Sequence, residues 1–188
     1  MVLVDQINEL KRIMYLKEIQ YLRRGGLMSK KTVKTNAMRI LDTEKIDHKE
    51  LSYPVSKDHV DGVSAAQALG KDPRTVYKTL VTRAGSRSYY VFVIPVAENL
   101  NLKKAARACG EKNIEMIHVK DINKVTGYIR GGCSPIGMKK SYPTYIDQSA
   151  QDIETITVSA GKVGYQVELS PKDLLDLIGG QYADLLAD

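Results

Sequence analysis

The stretch most informative about the fold spans residues 76–96 and reads VYKTLVTRAGSRSYYVFVIPV. Two runs rich in β-branched and aromatic residues, Val76–Ala84 and Tyr89–Val96, flank the short turn Gly85-Ser86-Arg87. Such residues favour strands, and a glycine-containing turn of this length joins neighbouring antiparallel strands. The stretch therefore predicts a β-hairpin.

Helical and extended segments are interspersed on both sides of this hairpin. The predicted helices begin at Thr32 or Thr35, at Ser64, at Asn101, and at Ser170 with Pro171 in the first turn. Further strands are predicted at His48–Tyr53, Ile114–His118, Thr144–Asp147, Ile156–Ser159 and Tyr165–Leu169. Because strands and helices do not alternate strictly, the order favours an α+β fold with a mixed sheet.

The 188 residues suffice for one domain with its own hydrophobic core. Residues 3–22 carry apolar side chains at helical spacing and are followed by Gly25-Gly26. We therefore expect an amphipathic helical extension over residues 1–27 and a compact domain over residues 28–188. The extension is interpreted as an accessory segment or, because Met28 offers a second start, as a misassigned beginning. A helix that docks on a partner is the alternative.

The net charge of +6 is concentrated near the N-terminus. Residues 1–34 hold eight Lys/Arg and three Asp/Glu, whereas the remaining residues hold twenty and nineteen. The near-neutral body gives weak support for nucleic-acid binding unless its charges cluster locally. No apolar run approaches the ~20 residues of a membrane span, and the two cysteines form no disulfide framework. We therefore expect a cytoplasmic protein with no membrane association.

A glycine-rich loop is the first candidate for chemistry, and it reads Gly131-Gly132-Cys133-Ser134-Pro135-Ile136-Gly137. Glycine allows close approach to the main chain, so such a loop can present backbone N–H groups to an anion or a polarised carbonyl. An ordinary surface turn is the other interpretation.

Lys78 is the second candidate, because it interrupts a run that otherwise suits a buried strand. Strand geometry places it on the face shared by Val76 and Leu80. A buried ammonium must reach water or meet a polar or anionic partner. It could therefore bind phosphate in a cleft, or it could be a solvated lysine on an edge strand.

Known nucleophile and metal motifs are missing from the sequence. The three histidines have no spacing that places two on one helical face, and HExxH, GxSxG and CxxC are absent. We therefore expect no metal and no cofactor. Cys133 lacks a recognisable histidine partner, which favours a small loop-filling residue over a nucleophile.

Four ordered motifs resemble the YbaK/EbsC family of aminoacyl-tRNA deacylases, relatives of the editing domain of bacterial prolyl-tRNA synthetases. The motifs are Tyr77-Lys78-Thr79-Leu80, Thr126-Gly127-Tyr128 leading into Gly131–Gly137, Tyr145-Ile146-Asp147, and Val158-Ser159-Ala160-Gly161-Lys162. The similarity covers about residues 33–186. It implies an α+β domain with a mixed, barrel-like sheet flanked by helices.

The resemblance also implies the roles of particular residues. Lys78 and Tyr53 correspond to the family's catalytic lysine and first-strand tyrosine. The implied substrate-binding residues are Thr79, Gly131, Gly132, Ser134, Pro135, Gly137, Asp147, Gly161 and Lys162. Two positions depart from the family pattern: Val55 replaces a histidine, and Ala160-Gly161-Lys162-Val163 replaces a Gly-Gly-Lys-Arg turn.

The function implied by the resemblance is hydrolytic removal of a mischarged amino acid, most often cysteine, from the proline tRNA. The expected partners are aminoacyl-tRNA and, as an assisting protein, prolyl-tRNA synthetase. Alanine or another small amino acid is the alternative substrate. A module that binds the tRNA end without catalysis is the alternative function.

Overall fold

The computed structural model describes residues 33–55, 61–85 and 88–187. One compact unit spans Lys34–Asp188. The extension predicted over residues 1–27 and the turn residues Ser86 and Arg87 lie outside the described residues. None of the described helices is both long and apolar enough to cross a membrane.

The described strands and helices are numbered in chain order. The strands are β1 (His48–Ser52), β2 (Tyr77–Ala84), β3 (Ser88–Pro95), β4 (Glu115–Met116), β5 (Thr144–Asp147), β6 (Ile156–Lys162), β7 (Tyr165–Leu169) and β8 (Gln181–Ala183). The α-helices are α1 (Asn36–Thr43), α2 (Gly62–Ala68), α3 (Leu102–Ala108), α4 (Ile122–Thr126) and α5 (Pro171–Ile178). Short 3₁₀ turns occupy Pro73–Thr75, Val119–Asp121 and Gln148–Asp152.

The strands form two sheets. One is mixed and five-stranded, in the order β4-β2-β3-β5-β8, and the other is antiparallel, in the order β1-β7-β6. The predicted hairpin of β2 and β3 lies at the centre of the larger sheet. The α+β fold with a mixed sheet is thus confirmed, whereas β8 has no counterpart among the predicted strands.

The two sheets meet without closing into a barrel. Strand β2 pairs with β4 only at Thr82 and Arg83, so the first half of β2 leaves an edge facing β6. In the described residues, one isolated parallel bridge between Val76 and Thr157 joins the sheets there. Because a single bridge cannot make a continuous ladder, the expected barrel-like sheet is instead two sheets with a seam between them.

Side-chain caps explain where the helices begin. The Thr35 hydroxyl accepts a hydrogen bond from the Met38 N–H and begins α1, one of the two predicted positions. Asn101 caps α3 and Ser170 caps α5, as predicted. The prediction of Ser64 for α2 was wrong: the Asp61 carboxylate accepts from the Ser64 N–H at 2.9 Å, so the helix begins earlier.

The main core lies where α1 and α5 pack against both sheets. Its fully buried members include Met38 and Leu41 from α1, Leu174 from α5, Ile146 from the larger sheet and Val158 from the smaller. Along β7, Val167 and Leu169 face this core. Successive strand residues point to opposite faces, so Gln166 and Glu168 lie on the other face, where both are buried as well.

Glu168 is buried and paired with lysines. Its side chain is 8% exposed; Lys71 forms an ion pair with one carboxylate oxygen, and Lys49 lies 3.4 Å from the other. Burial alone would raise the pKa of Glu168, but the hydrogen bonds and charge of Lys71, with those of Lys49, lower it on balance. The carboxylate therefore stabilises the fold only while ionised and paired.

We predict that Lys71→Met lowers the free energy of unfolding by about 1–3 kcal/mol at pH 7, because it leaves a buried carboxylate without its main partner. Lys49→Met is the matched control. Its side chain is 77% exposed, and its loss should cost below ~0.5 kcal/mol. Urea denaturation measures both. Equal effects of the two variants would contradict the conclusion that Lys71 is the main partner of Glu168.

The contribution of the Glu168–Lys71 pair to the free energy of unfolding depends on pH. The folded pKa of Glu168 lies below its ordinary value of 4.5, so its contribution is present above that value and is lost as the pH falls through the folded value. The stability difference between wild type and Lys71→Met should therefore shrink when the pH is lowered below 4.5.

Candidate active site

A cleft of about 490 Å³ opens at the seam between the two sheets. Its walls come from the first half of β2, the start of α2, residues 116–122, the glycine-rich loop and the β6–β7 pair. The lining is mostly apolar, with a few polar groups converging on it, as expected of a small-molecule binding site.

Four of the residues predicted for the site line this cleft: Tyr53, Lys78, Thr79 and Gly131. They come from the end of β1, from β2 and from the glycine-rich loop. The fold therefore gathers residues that are up to 78 positions apart in the sequence, counted from Tyr53 to Gly131.

Lys78 is half-buried and bonded to backbone carbonyls. Its Nζ donates to the carbonyl oxygens of Val96, at 3.1 Å, and Glu98, at 2.6 Å. Desolvation lowers the pKa of Lys78, and the charge of Glu98 partly opposes this. An ammonium carries three N–H donors, so these two acceptors leave one for a ligand in the cleft.

Tyr53 is positioned by the turn between β6 and β7. Its N–H donates to the carbonyl oxygen of Gly164 at 3.0 Å. Gly164 has a φ of +83°, and a Cβ there would lie 3.1 Å from the Tyr53 carbonyl oxygen. A glycine is therefore needed for the turn to hold Tyr53 this closely.

The glycine-rich loop contributes backbone, but fewer free N–H groups than its sequence suggests. The Gly132 N–H donates to the Ile129 carbonyl at 3.0 Å, and the Ile136 N–H donates to the Ser134 hydroxyl at 3.2 Å. Ser134 and Pro135 are buried. At the cleft itself the loop presents Gly131 and Cys133.

Several predicted site glycines serve close packing instead. A Cβ on Gly132 would lie 3.0 Å from the Val163 nitrogen and 3.2 Å from the Lys162 carbonyl carbon. Cβ atoms on Gly137 and Gly161 would collide with Asn36 and with the Tyr128 ring, respectively. These glycines therefore hold the loop against α1 and the β6–β7 turn.

Tyr128 anchors this loop and was absent from the predicted site residues. Its hydroxyl lies 2.6 Å from the Ile136 carbonyl oxygen and 3.1 Å from that of Gly137, and it can donate to either. Its ring also covers Gly161. The sequence feature that could have identified Tyr128 is its place directly after Gly127 and three positions before the loop begins at Gly131.

Asp147 and Lys162 lie away from the cleft lining in the described structure. Asp147 is 1% exposed and accepts hydrogen bonds from the N–H groups of Ser149, at 3.0 Å, and Leu185, at 3.1 Å. It therefore organises the chain after β5. Lys162 is exposed, with its ammonium 5.1 Å from the centre of the Tyr165 ring.

The cleft offers no evident general base among the described residues. The described lining residues include no histidine and one carboxylate, Asp61, which accepts from the N–H and hydroxyl of Ser64 as the cap of α2. Those hydrogen bonds lower the pKa of Asp61.

One cluster elsewhere has metal-ligand residue types: Asp42, His48 and Glu50. The ammonium of Lys34 already binds both carboxylates, at 2.8 Å from Asp42. These hydrogen bonds raise the pKa of Lys34 and lower that of Asp42. The lysine supplies the positive charge that a cation would bring.

A comparison with known protein families shows which family this chain belongs to. A family model described as the aminoacyl-tRNA editing domain matches residues 58–177, a range that includes Lys78, Thr79 and the glycine-rich loop. The chain belongs to the aminoacyl-tRNA editing domain family. The family expected from the sequence is thereby confirmed.

Three similar proteins agree with this assignment, two by family and one by fold alone. A candidate Cys-tRNA(Pro)/Cys-tRNA(Cys) deacylase, EbsC, of Enterococcus faecalis is 49% identical over 152 residues, 81% of this chain and 93% of that protein. The crystal structure of a candidate trans-editing enzyme for prolyl-tRNA synthetase superposes with a TM-score of 0.70 at 27% identity, covering 82% of this chain and 99% of that one. The hypothetical protein APE2540 shares the fold, with a TM-score of 0.73 at 20% identity, 79% of this chain and 97% of that one.

We predict that Cys133 of the editing domain reacts slowly with alkylating reagents at neutral pH. Burial raises the pKa of its thiol to about 11, so the thiolate fraction falls about a hundred-fold below that of a free cysteine. Mass spectrometry of iodoacetamide-treated native protein measures the rate. Rapid labelling of Cys133 at pH 7 would contradict the burial, and urea-unfolded protein supplies the reactive reference.

We predict that Gly132→Ala lowers the free energy of unfolding by about 1–3 kcal/mol, because the added methyl meets the backbone of Val163. Gly70→Ala is the control: the space around Gly70 is open and only its φ of +64° is strained, at about 1 kcal/mol. Hydrogen exchange should rise in peptides covering the glycine-rich loop for Gly132→Ala alone. Unchanged exchange there would show that the loop does not depend on this contact.

Proposed function

We propose that the chain is a trans-acting deacylase that removes mischarged cysteine from tRNA(Pro). The enzyme class, an aminoacyl-tRNA deacylase, follows from membership of the editing family and from 49% identity with a protein carrying that name. The observation that carries the proposal for the site is the seam cleft, which gathers Tyr53, Lys78, Thr79 and Gly131.

The cleft's chemistry suits the end of a charged tRNA. An aminoacyl ester combines an amino acid, a carbonyl group, a ribose and a terminal phosphate. The remaining N–H of Lys78 can bind that phosphate as a point charge. The backbone at Gly131 and the Thr79 hydroxyl can contact the ester, and the apolar wall can cover a small side chain.

The lack of a general base among the described residues of the cleft supports two routes. In the substrate-assisted route, the cysteinyl sulfur bonds to the ester carbonyl carbon, the bond from that carbon to the ribose oxygen breaks, and the thiol proton passes to the ribose oxygen. In the hydrolytic route, the oxygen of water bonds to the carbonyl carbon, the bond from that carbon to the ribose oxygen breaks, one water proton passes to the ribose oxygen, and the free amino acid is released. In both, donors that hold the carbonyl oxygen as it gains charge lower the barrier.

We further propose that a partner reads the identity of the tRNA. The residues after position 34 carry twenty basic and nineteen acidic side chains, so phosphate attraction alone gives weak binding. Prolyl-tRNA synthetase is the partner we propose, because a solved relative is named as a trans-editing enzyme for it. A cytoplasmic location accords with this role and stays a prediction.

We predict that Lys78→Ala lowers the deacylation rate of Cys-tRNA(Pro) on the order of a hundred-fold or more, because it removes the cleft's only lysine among the described lining residues. The control is Lys103→Ala, which removes an exposed lysine from α3. Release of labelled cysteine from charged tRNA measures the rate, and circular dichroism checks that the variant folds. Wild-type turnover by Lys78→Ala would contradict the role.

The same assay distinguishes the alternatives. A panel of tRNAs charged with cysteine, alanine or proline, with and without the synthetase, identifies the amino acid removed. Tight binding of charged tRNA by wild type without faster ester loss than in buffer would favour the non-catalytic module.

A further inference from the structure

Two buried polar atoms lack a hydrogen-bond partner in the described part of the chain: the Thr79 hydroxyl oxygen and the Gln166 carbonyl oxygen. Both residues line the seam cleft. Folded proteins satisfy the large majority of such atoms, so each exception needs an explanation. Two such unsatisfied atoms at one cavity indicate that a bound ligand supplies their hydrogen-bond donors.

Gln166 lies on a strand that is paired on both sides, where the sheets meet. It is 7% exposed and lies on β7, in register with Leu51 of β1 and Ser159 of β6, and Ser159 also lines the cleft. Thr79 lies on β2, three residues after the bridge that joins the sheets. The two residues therefore belong to opposite sides of the seam, and both line the cleft between them.

The neighbour of Gln166 on the same strand face shows the contrast. Glu168 is equally buried, but two lysines pair with its carboxylate. Gln166 is neutral and has no such partner, so the fold gains nothing from its carbonyl oxygen. An apolar residue of the same size would serve packing as well or better. This indicates that the amide contributes to binding rather than to stability.

The Gln166 carbonyl oxygen can only accept a hydrogen bond, whereas the Thr79 hydroxyl can accept or donate, so the glutamine limits the ligand group that can satisfy both. Phosphates and the ester carbonyl offer no donor, whereas the α-amino group of an aminoacyl ester offers two N–H donors, or three when protonated. A ribose hydroxyl offers one. An amino group can therefore donate to two acceptors at once, whereas a hydroxyl can satisfy one of them.

We infer that the Gln166 carbonyl oxygen, together with the Thr79 hydroxyl oxygen, binds the free α-amino group of the aminoacyl substrate. Gln166 is then a specificity residue that selects esters with an unmodified amino group. The inference rests on the proposed function, because it takes the substrate to be an aminoacyl ester. It adds a recognition element that the predicted site residues did not include.

The test separates binding from catalysis. Two stable adenosine analogues carry an amide at the 3′ position, one with cysteine and one with 3-mercaptopropionic acid, which lacks only the α-amino group. Calorimetric titration gives their affinities for wild type, Gln166→Met and the control Gln151→Met, whose glutamine is exposed and lines a separate depression. Loss of one such hydrogen bond corresponds to about a 10- to 100-fold change in affinity.

We expect wild type and Gln151→Met to prefer the cysteine analogue by this factor, and Gln166→Met to bind both analogues alike. Thr79→Val should reduce the preference without abolishing it. Gln166→Glu, which keeps an acceptor oxygen, should retain it. The melting temperature of Gln166→Met should equal or exceed that of wild type, because an unsatisfied polar atom is removed.

Three outcomes would overturn the inference: a preference that persists in Gln166→Met, no preference in wild type, or no binding of either analogue by wild type. No preference in wild type would mean that water, or a donor that the two analogues share, such as a ribose hydroxyl or the adenine amino group, satisfies the two oxygens. Ester hydrolysis by wild type is measured separately. A protein that discriminates between the analogues but releases no cysteine would keep this inference and lose the proposed catalysis.

Discussion

One strand edge governs the rest of the structure. Strand β2 is fully paired with β3, but its first half faces β6 across a single described bridge, Val76 to Thr157. Backbone hydrogen bonds therefore do not close the two sheets into one. The gap that remains is the cleft, and residues from both sheets line it.

The polar groups at this seam fall into two kinds. Glu168 and Lys78 have partners inside the protein, lysine ammonium groups for the one and backbone carbonyls for the other. Thr79 and Gln166 each keep an oxygen that has no partner among the described residues. Burying an unpaired polar atom costs free energy, so the second kind indicates binding more directly than the first.

Particular residues show how far a sequence can predict such a site. Lys78 was recognisable because an ammonium within an apolar strand is unusual, and the structure gives it the polar partners that burial requires. Gln166 was not recognisable from the sequence. A polar residue between apolar ones is typical of any half-buried strand, so the pattern did not set this glutamine apart. Asp147 resembled a site residue by its motif, but its carboxylate accepts backbone N–H groups away from the cleft.

The sequence by itself determined the family, the α+β class, the central hairpin and most helix starts, because these depend on short-range patterns of side chains and caps. It also identified the glycine-rich loop, although not the reason for its glycines. Only the tertiary structure decided that the strands form two sheets and that the loop glycines mainly permit close packing. It also decided which polar atoms remain unsatisfied at the seam. These features depend on distances between residues far apart in the chain, which no local pattern encodes.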